Sequence, residues 1–316
     1  MDFGVMVGRE LRLSEDERAQ LVAEAARLGF TSAWTNSGPD LEGVRSCQRW
    51  FDETGLTTGT AVVPTPTVDL PALAQAAQEV GEASGGRFLL GVGAGNMISP
   101  KWRQQHGLAD KRPLVLMREH VQFFKREARV PVYLAGLGPR MLQLVGELAD
   151  GALPNWMDPG QLTWARERVA EGARAVGRDP AGIRVAQSVR VAVDNDPDVA
   201  RVALARASLG YALAKPDAPG GGHYRQAMAR MGLDEDLTRL EAMRDRGASE
   251  DELAEAFPPR ALERLGAWGR PREALDGFRR LSQGLDIAIL RVVGARPGIE
   301  SARAVIQACA PQVLSR

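Results

Sequence analysis

Apolar residues along this chain follow two alternating patterns: short continuous runs, and longer stretches where they recur every three or four positions. A short continuous run fits a strand covered on both faces, and the longer period fits an amphipathic helix lying against it. Strands are expected at 2–7, 32–35, 57–63, 87–92, 130–135, 152–154, 183–193 and 286–293. The helices between them carry their own start and stop signals. Ser14 and Glu17 form a capping box ahead of the stripe Leu21, Val22, Ala25 and Leu28, and Gly29 ends that helix. Asp69 caps a helix bearing Leu70, Leu73, Ala77 and Val80, and residues 114–125 are helical. Pro139 and Pro159 stand at first-turn positions, the second behind Asp158, and 297–314 is the closing helix.

Eight strand-then-helix units in 316 residues predict an α/β protein with a (β/α)8 TIM barrel as one domain over 1–316. An open doubly wound sheet is the alternative. Residues 194–285, between the seventh and eighth strands, are too many for one crossover. They read as helical and charged, with a second capping box at Ser249 and Glu252 and a glycine-rich interruption at 216–223. Two readings stay open for this stretch: an insertion above the barrel mouth with a lid hinge at 220–222, or a plain spacer.

Composition narrows the function. Forty basic and forty acidic side chains cancel, so the chain lacks the basic excess typical of nucleic-acid proteins. Cys47 and Cys309 stand far apart without a CxxC, and His106, His120 and His223 make no zinc constellation. No apolar run reaches the roughly 18 residues of a membrane helix, and the N-terminus lacks a signal-peptide core. The expectation is a cytoplasmic protein that acts on a small molecule, with no metal, membrane or nucleic-acid partner.

Three segments at predicted strand ends carry candidate chemistry. GVGAG at 91–95 resembles a dinucleotide fingerprint but lacks its third glycine and the acidic ribose ligand. Glycines there more simply let a flat ligand approach the backbone. AGLGPRM at 135–141 takes a strand through a two-glycine bend into a helix at Pro139. Free amides and a positive helix end make that turn a natural phosphate seat, with Arg140 adding charge; an ordinary strand-to-helix turn is the other reading. TAVVPTPT at 60–67 places two prolines after the third strand, where ladder bonds must stop.

The strings TGTAVVPTPT, SGGRFLLGVGAGN and PVYLAGLGPRMLQLVGELADGALPNW together resemble the bacterial-luciferase-like superfamily. GPRMLQLVGELADG is most similar to the branch that uses the deazaflavin coenzyme F420 in place of FMN. The resemblance covers roughly 1–155 and 257–316. It implies a non-prolyl cis peptide at Ala61 and Val62 behind the deazaflavin ring, and ring contacts from Gly95 and Asn96. It also implies a phosphate cradle at Gly136, Leu137 and Gly138, opened by Pro139, with Asn155 and Trp156 at the neighbouring strand end. Relatives are commonly homodimers.

The departures bear on the reaction. Sugar-phosphate dehydrogenases of this branch carry a histidine where this chain has Ser37, and a glutamate where it has Asn96. Neither replacement titrates near neutral pH, so oxidation of a sugar alcohol loses its base. The stretch between Val92 and Val130 is also short for the family. The resulting expectation is hydride transfer from reduced F420 to an electron-poor C=C or C=N bond. Arg9, Glu10, Asn36 and Ser37 are the candidates at strand ends for supplying the proton, Glu10 foremost; Asn36 and Asn96 are expected as hydrogen-bonding orienters, and Arg9 and Trp34 beside the substrate. An FMN-dependent monooxygenase and a non-catalytic ligand-binding barrel are the alternatives.

Overall fold

The computed structural model describes residues 1–95, 99–215 and 223–314. Asn96 and the hinge expected at 220–222 lie outside the described residues. The strands are β1 (Asp2–Met6), β2 (Ser32–Thr35), β3 (Thr57–Thr60), β4 (Val63–Pro64) and β5 (Phe88–Gly93), followed by β6 (Val132–Ala135), β7 (Gly151–Leu153), β8 (Arg184–Val193), β9 (Gly266–Gly269) and β10 (Ile287–Val293). Every pairing is parallel. β1 pairs with both β2 and β10, and β10 also pairs with β8, which closes the sheet. β3 and β4 both pair with β5 and form one interrupted stave. The ring therefore has eight staves, and the fold is a TIM barrel.

The helices begin where their sequence signals put them. Ser14 and Glu17 close the expected box, the Ser14 Oγ accepting from the Glu17 amide at 3.2 Å. Asp69 and Asp158 accept from Ala72 and Gln161 amides at 2.9 Å each. Gly29 follows the first helix with φ 93°, the left-handed geometry that lets a helix end without a Cβ clash. The closing helix breaks into Ile299–Ala308 and Pro311–Leu314, because Pro311 has no amide with which to continue it.

The stretch 194–285 differs from expectation. It is not helical throughout, since β9 pairs with the upper end of β8 from Arg190 to Val193. The helix Pro271–Leu281 that follows packs Ala274 and Phe278 into the main barrel core. Only the part before β9 builds a separate apolar cluster, around Leu204, Leu237, Leu240 and Phe257, with Trp156 inside it. The GAWG run of β9 was too short and glycine-rich to register as a strand. Asp158 ties this part to the barrel through Arg264, whose Nε donates to it at 2.8 Å.

Inside the barrel, Met6, Trp34, Tyr133, Leu153, Ala186, Ile287 and Ile289 form a small dry cluster. Trp34 is fully buried, its Nε1 donating to Ser32 Oγ at 2.9 Å. Its indole fits because neighbouring strands carry glycine: a Cβ on Gly4 or Gly59 would lie 2.7 Å from an indole atom. The expectation that Trp34 touches substrate is corrected, since it plugs the barrel interior. Gly59→Ala should therefore overpack the plug and destabilise the protein by about 1–3 kcal/mol. An unchanged urea midpoint would remove Trp34 from this role.

Candidate active site at the barrel rim

The carboxyl ends of β3 to β8 open onto a cavity of about 630 Å³, a volume ordinary for a small-molecule site. One wall is Ala61 and Val62, whose connecting peptide is cis, as the resemblance implied, together with Gly93, Ala94 and Gly95 after β5. The opposite wall is the turn after β6, running from Gly136 to Met141. Gly138 caps the helix Pro139–Leu148, and no side-chain oxygen occupies the free amides of its first turn. The Leu137 carbonyl accepts from Arg230 Nη2 at 2.9 Å, so a helix of the 194–285 stretch steadies this turn from outside.

The third wall comes from β7, β8 and β10. Asn155 extends β7 and bridges to Ser188 of β8; both line the cavity. Successive inward positions climb from Ala186 and Ile287 through Ser188 and Ile289 to Arg190 and Arg291, which are register partners on adjacent strands. The period of two along a strand fixes this stacking. Arg291 lines the cavity and forms an ion pair with Glu10, donating to Oε1 at 2.6 and 2.9 Å. Arg190 sits deeper, its guanidinium 3.5 Å from the Trp156 ring centre and its Nη1 donating to Asn155 Oδ1 at 2.9 Å. Burial, and then the neighbouring Arg291 charge, pull the Arg190 pKa down to about 9, which still leaves it cationic at neutral pH.

The model of the family described as luciferase-like monooxygenase matches residues 53–129 and 123–286. The chain belongs to that family. Among curated proteins it is similar to the 5,10-methylenetetrahydromethanopterin reductase of Archaeoglobus fulgidus, at 27% identity over 72% of this chain and 73% of that protein. Among solved structures it resembles the coenzyme F420-dependent tetrahydromethanopterin reductase of Methanopyrus kandleri, with a TM-score of 0.75, 19% identity and 98% and 99% of the two chains covered. It also resembles an F420-dependent secondary alcohol dehydrogenase in complex with an F420-acetone adduct, with a TM-score of 0.72, 15% identity and 99% and 98% covered. These likenesses agree with the barrel drawn from the strand pairings.

Within this luciferase-like barrel, the expected coenzyme residues Ala61, Val62, Gly95, Gly136, Leu137, Gly138, Pro139 and Asn155 all stand on one cavity wall or another. Trp156 does not. Its φ of 58° turns the chain so that the indole packs behind the wall, 2% exposed, between Arg190 and Tyr211. Arg9 is also away from the cavity, paired with Asp40 at 2.8 Å and with Glu42. Asn36 and Ser37 sit one layer behind the Ala61–Val62 peptide, where the Ser37 amide donates to the Val62 carbonyl at 3.4 Å. The Asn36 Oδ1 and Ser37 Oγ are buried without hydrogen-bond partners.

Glu10 is corrected as a proton source. Burial alone raises its pKa, but the Arg291 charge and hydrogen bonds outweigh that and hold it below the ordinary 4.5. At neutral pH it is a carboxylate with no proton to give. Sequence reasoning missed Arg190, Arg291 and Tyr224 and set His223 aside, although His223 and Tyr224 face the cavity. A legible signal existed for two of them: Arg291 interrupts an otherwise apolar strand, and Arg190 stands within the apolar carboxyl-terminal half of β8. Burial, and then Arg230, keep the His223 pKa below 6.5, so its ring is neutral at pH 7.

Because its pKa is depressed on folding, Glu10 contributes stability that is present above its unfolded value and fades as pH falls through the folded one. Glu10→Gln should be less stable than wild type at pH 7, with the gap closing below about pH 4. Urea midpoints measured from pH 3 to 7 decide this, and equal midpoints at pH 7 would show that the pair contributes nothing.

Proposed function

We propose that this protein is a coenzyme F420-dependent reductase that delivers a hydride to an electron-poor C=C or C=N bond of a small organic substrate. The observation that carries this reading is one cavity that joins a flat, side-chain-poor wall to an open helix N-terminus. Glycine is required at the flat wall. A Cβ on Gly93 would lie 3.1 Å from Val62 Cγ2 and 3.3 Å from Ala135 Cβ, so a side chain there would crowd the wall beside Val62. At the other end, a Cβ on Gly138 would meet nothing within 4 Å, so the turn is open toward the cavity. A deazaflavin with an anionic tail fits this pairing of surfaces. The F420-dependent enzymes among the similar proteins support the choice of coenzyme.

Bound there, the reduced deazaflavin would supply the hydride. The protein's residues supply the rest. Ala61, Val62 and Gly93 give the ring an apolar backing, and the amides after Gly136 with the helix end hold the anionic tail. Arg140 and Arg112, both on the cavity wall, add positive charge on that side. Arg291 presents a fixed cation over the remaining space, so negative charge developing on a hydride acceptor meets a field already in place. Ser37 is buried and cannot titrate near neutral pH, which supports reduction over oxidation of an alcohol.

Titration of the purified protein with F420 and with FMN tests the coenzyme directly. F420 should bind more tightly by about tenfold or more, a difference of about 1.4 kcal/mol, and tighter FMN binding would overturn the assignment. Gly138→Asp places a carboxylate in the anion seat without backbone strain, because Gly138 is extended at φ −97°, ψ 158°. It should weaken F420 binding by at least about tenfold with an unchanged melting temperature. Unaltered affinity would remove the turn as the tail's seat.

A further inference from the structure

Arg190, Asn155 and Tyr224 form a hydrogen-bonded chain whose direction is fixed at its buried end. Arginine has donors only, so the Asn155 oxygen must face Arg190 Nη1, at 2.9 Å. The Asn155 amide nitrogen is thereby turned toward Tyr224, donating to the phenol oxygen at 3.2 Å. That oxygen is an acceptor in this chain, and the phenol proton must go elsewhere. Among the described residues no group accepts it, while Tyr224 and Asn155 both line the cavity. Burial and the neighbouring Tyr211 raise the Tyr224 pKa, so the phenol stays protonated through the neutral range. Tyr211, edge-on at 4.9 Å and itself 5.2 Å from the Arg190 guanidinium, holds the ring in place.

We propose that Tyr224 donates its hydrogen bond to a carbonyl oxygen of the substrate, and that the bond reduced is a C=C conjugated to that carbonyl. This rests on the hydride-transfer reading above. The charge of the cavity points the same way: besides Arg291, which Glu10 balances, its wall carries Arg112 and Arg140 and, among the described lining residues, no carboxylate. A cationic C=N substrate would face like charges, whereas a neutral carbonyl compound gains from them. When hydride from the reduced deazaflavin reaches the carbon β to the carbonyl, the C=C pair moves to the adjoining carbon–carbon bond and the carbonyl pair to oxygen. The Tyr224 O–H bond breaks, its proton passes to that oxygen, and an enol forms that tautomerises to the saturated ketone. The phenolate left behind keeps the Asn155 N–H donor, lies near Arg190 and Arg291, and is reprotonated by water.

The experiment compares wild type, Tyr224→Phe and Asn155→Asp. The carboxylate introduced by Asn155→Asp accepts from Arg190 and from Tyr224 alike, so it reverses the chain while keeping the phenol. The probe is 2-cyclohexen-1-one carrying carbon-13 at the carbonyl, its C=O stretch read by infrared spectroscopy on the protein with and without oxidised F420. F420 affinity and oxidation of F420H2 by the ketone are measured alongside. Wild type should shift the stretch to lower frequency and both variants should lose the shift. Tyr224→Phe should keep its F420 affinity while reduction slows by about a hundredfold. A shift that persists in Tyr224→Phe, absence of ketone binding, or a large loss of F420 affinity in Tyr224→Phe would each overturn the proposal. Failure of wild type to bind F420 would overturn the hydride-transfer reading and with it the C=C reduction, whereas the infrared shift without coenzyme separately decides whether Tyr224 donates.

Discussion

A parallel strand cannot be joined to its neighbour by a hairpin, so each stave of this barrel is followed by a crossover that returns the chain to the starting edge. Closure of β8 on β10 and β10 on β1 then gathers every carboxyl end on a single rim. The same constraint sends a turn into a helix N-terminus at each position around it. The turn after β6 is open because Gly136 and Gly138 carry no side chains, and the uncapped amides at its helix end belong to the backbone rather than to any charged residue.

Beneath that rim, the barrel interior changes character by layers. Trp34, Tyr133 and the isoleucines of β10 make a dry plug, and one pleat higher the same inward positions hold Arg190 and Arg291. Burying two adjacent guanidinium groups is costly unless they are compensated. Glu10 compensates Arg291 through an ion pair, while Trp156, Tyr211 and Asn155 surround Arg190 with aromatic faces and an amide oxygen. The outcome is a layer of two guanidinium groups directly above an apolar plug. The segment between β8 and β9 contributes directly, since its helix His223–Arg230 places Tyr224 in the cavity and Arg230 against the turn after β6.

The fold was legible because it depends on local signals: continuous apolar runs for the strands, and capping residues at Ser14, Asp69, Asp158 and Ser249 for the helices. β9 escaped because four residues, two of them glycine, carry no periodicity. Of the main-chain parts of the candidate site, the turn at 136–139 was legible through glycine and proline placement, whereas 61–62 was implied only by the family resemblance. The side-chain parts of the site were not legible. Whether Glu10 gives a proton or balances a cation depends on Arg291, distant in sequence and adjacent only once the barrel closes. A buried tryptophan and a stacking one are identical in sequence, and only burial shows that Trp34 fills the barrel and Trp156 backs Arg190. Tyr224 belongs to a stretch whose spatial position no pattern in the sequence specifies.

A crystal structure of the protein with F420 bound tests the central claim most directly, because it shows where ring and tail lie. The account places the ring against Ala61, Val62 and Gly93, with the phosphate on the main-chain amides between Gly136 and Pro139 and below Arg140. A ring lodged elsewhere, or a tail held by side chains while that turn stays empty, would contradict it.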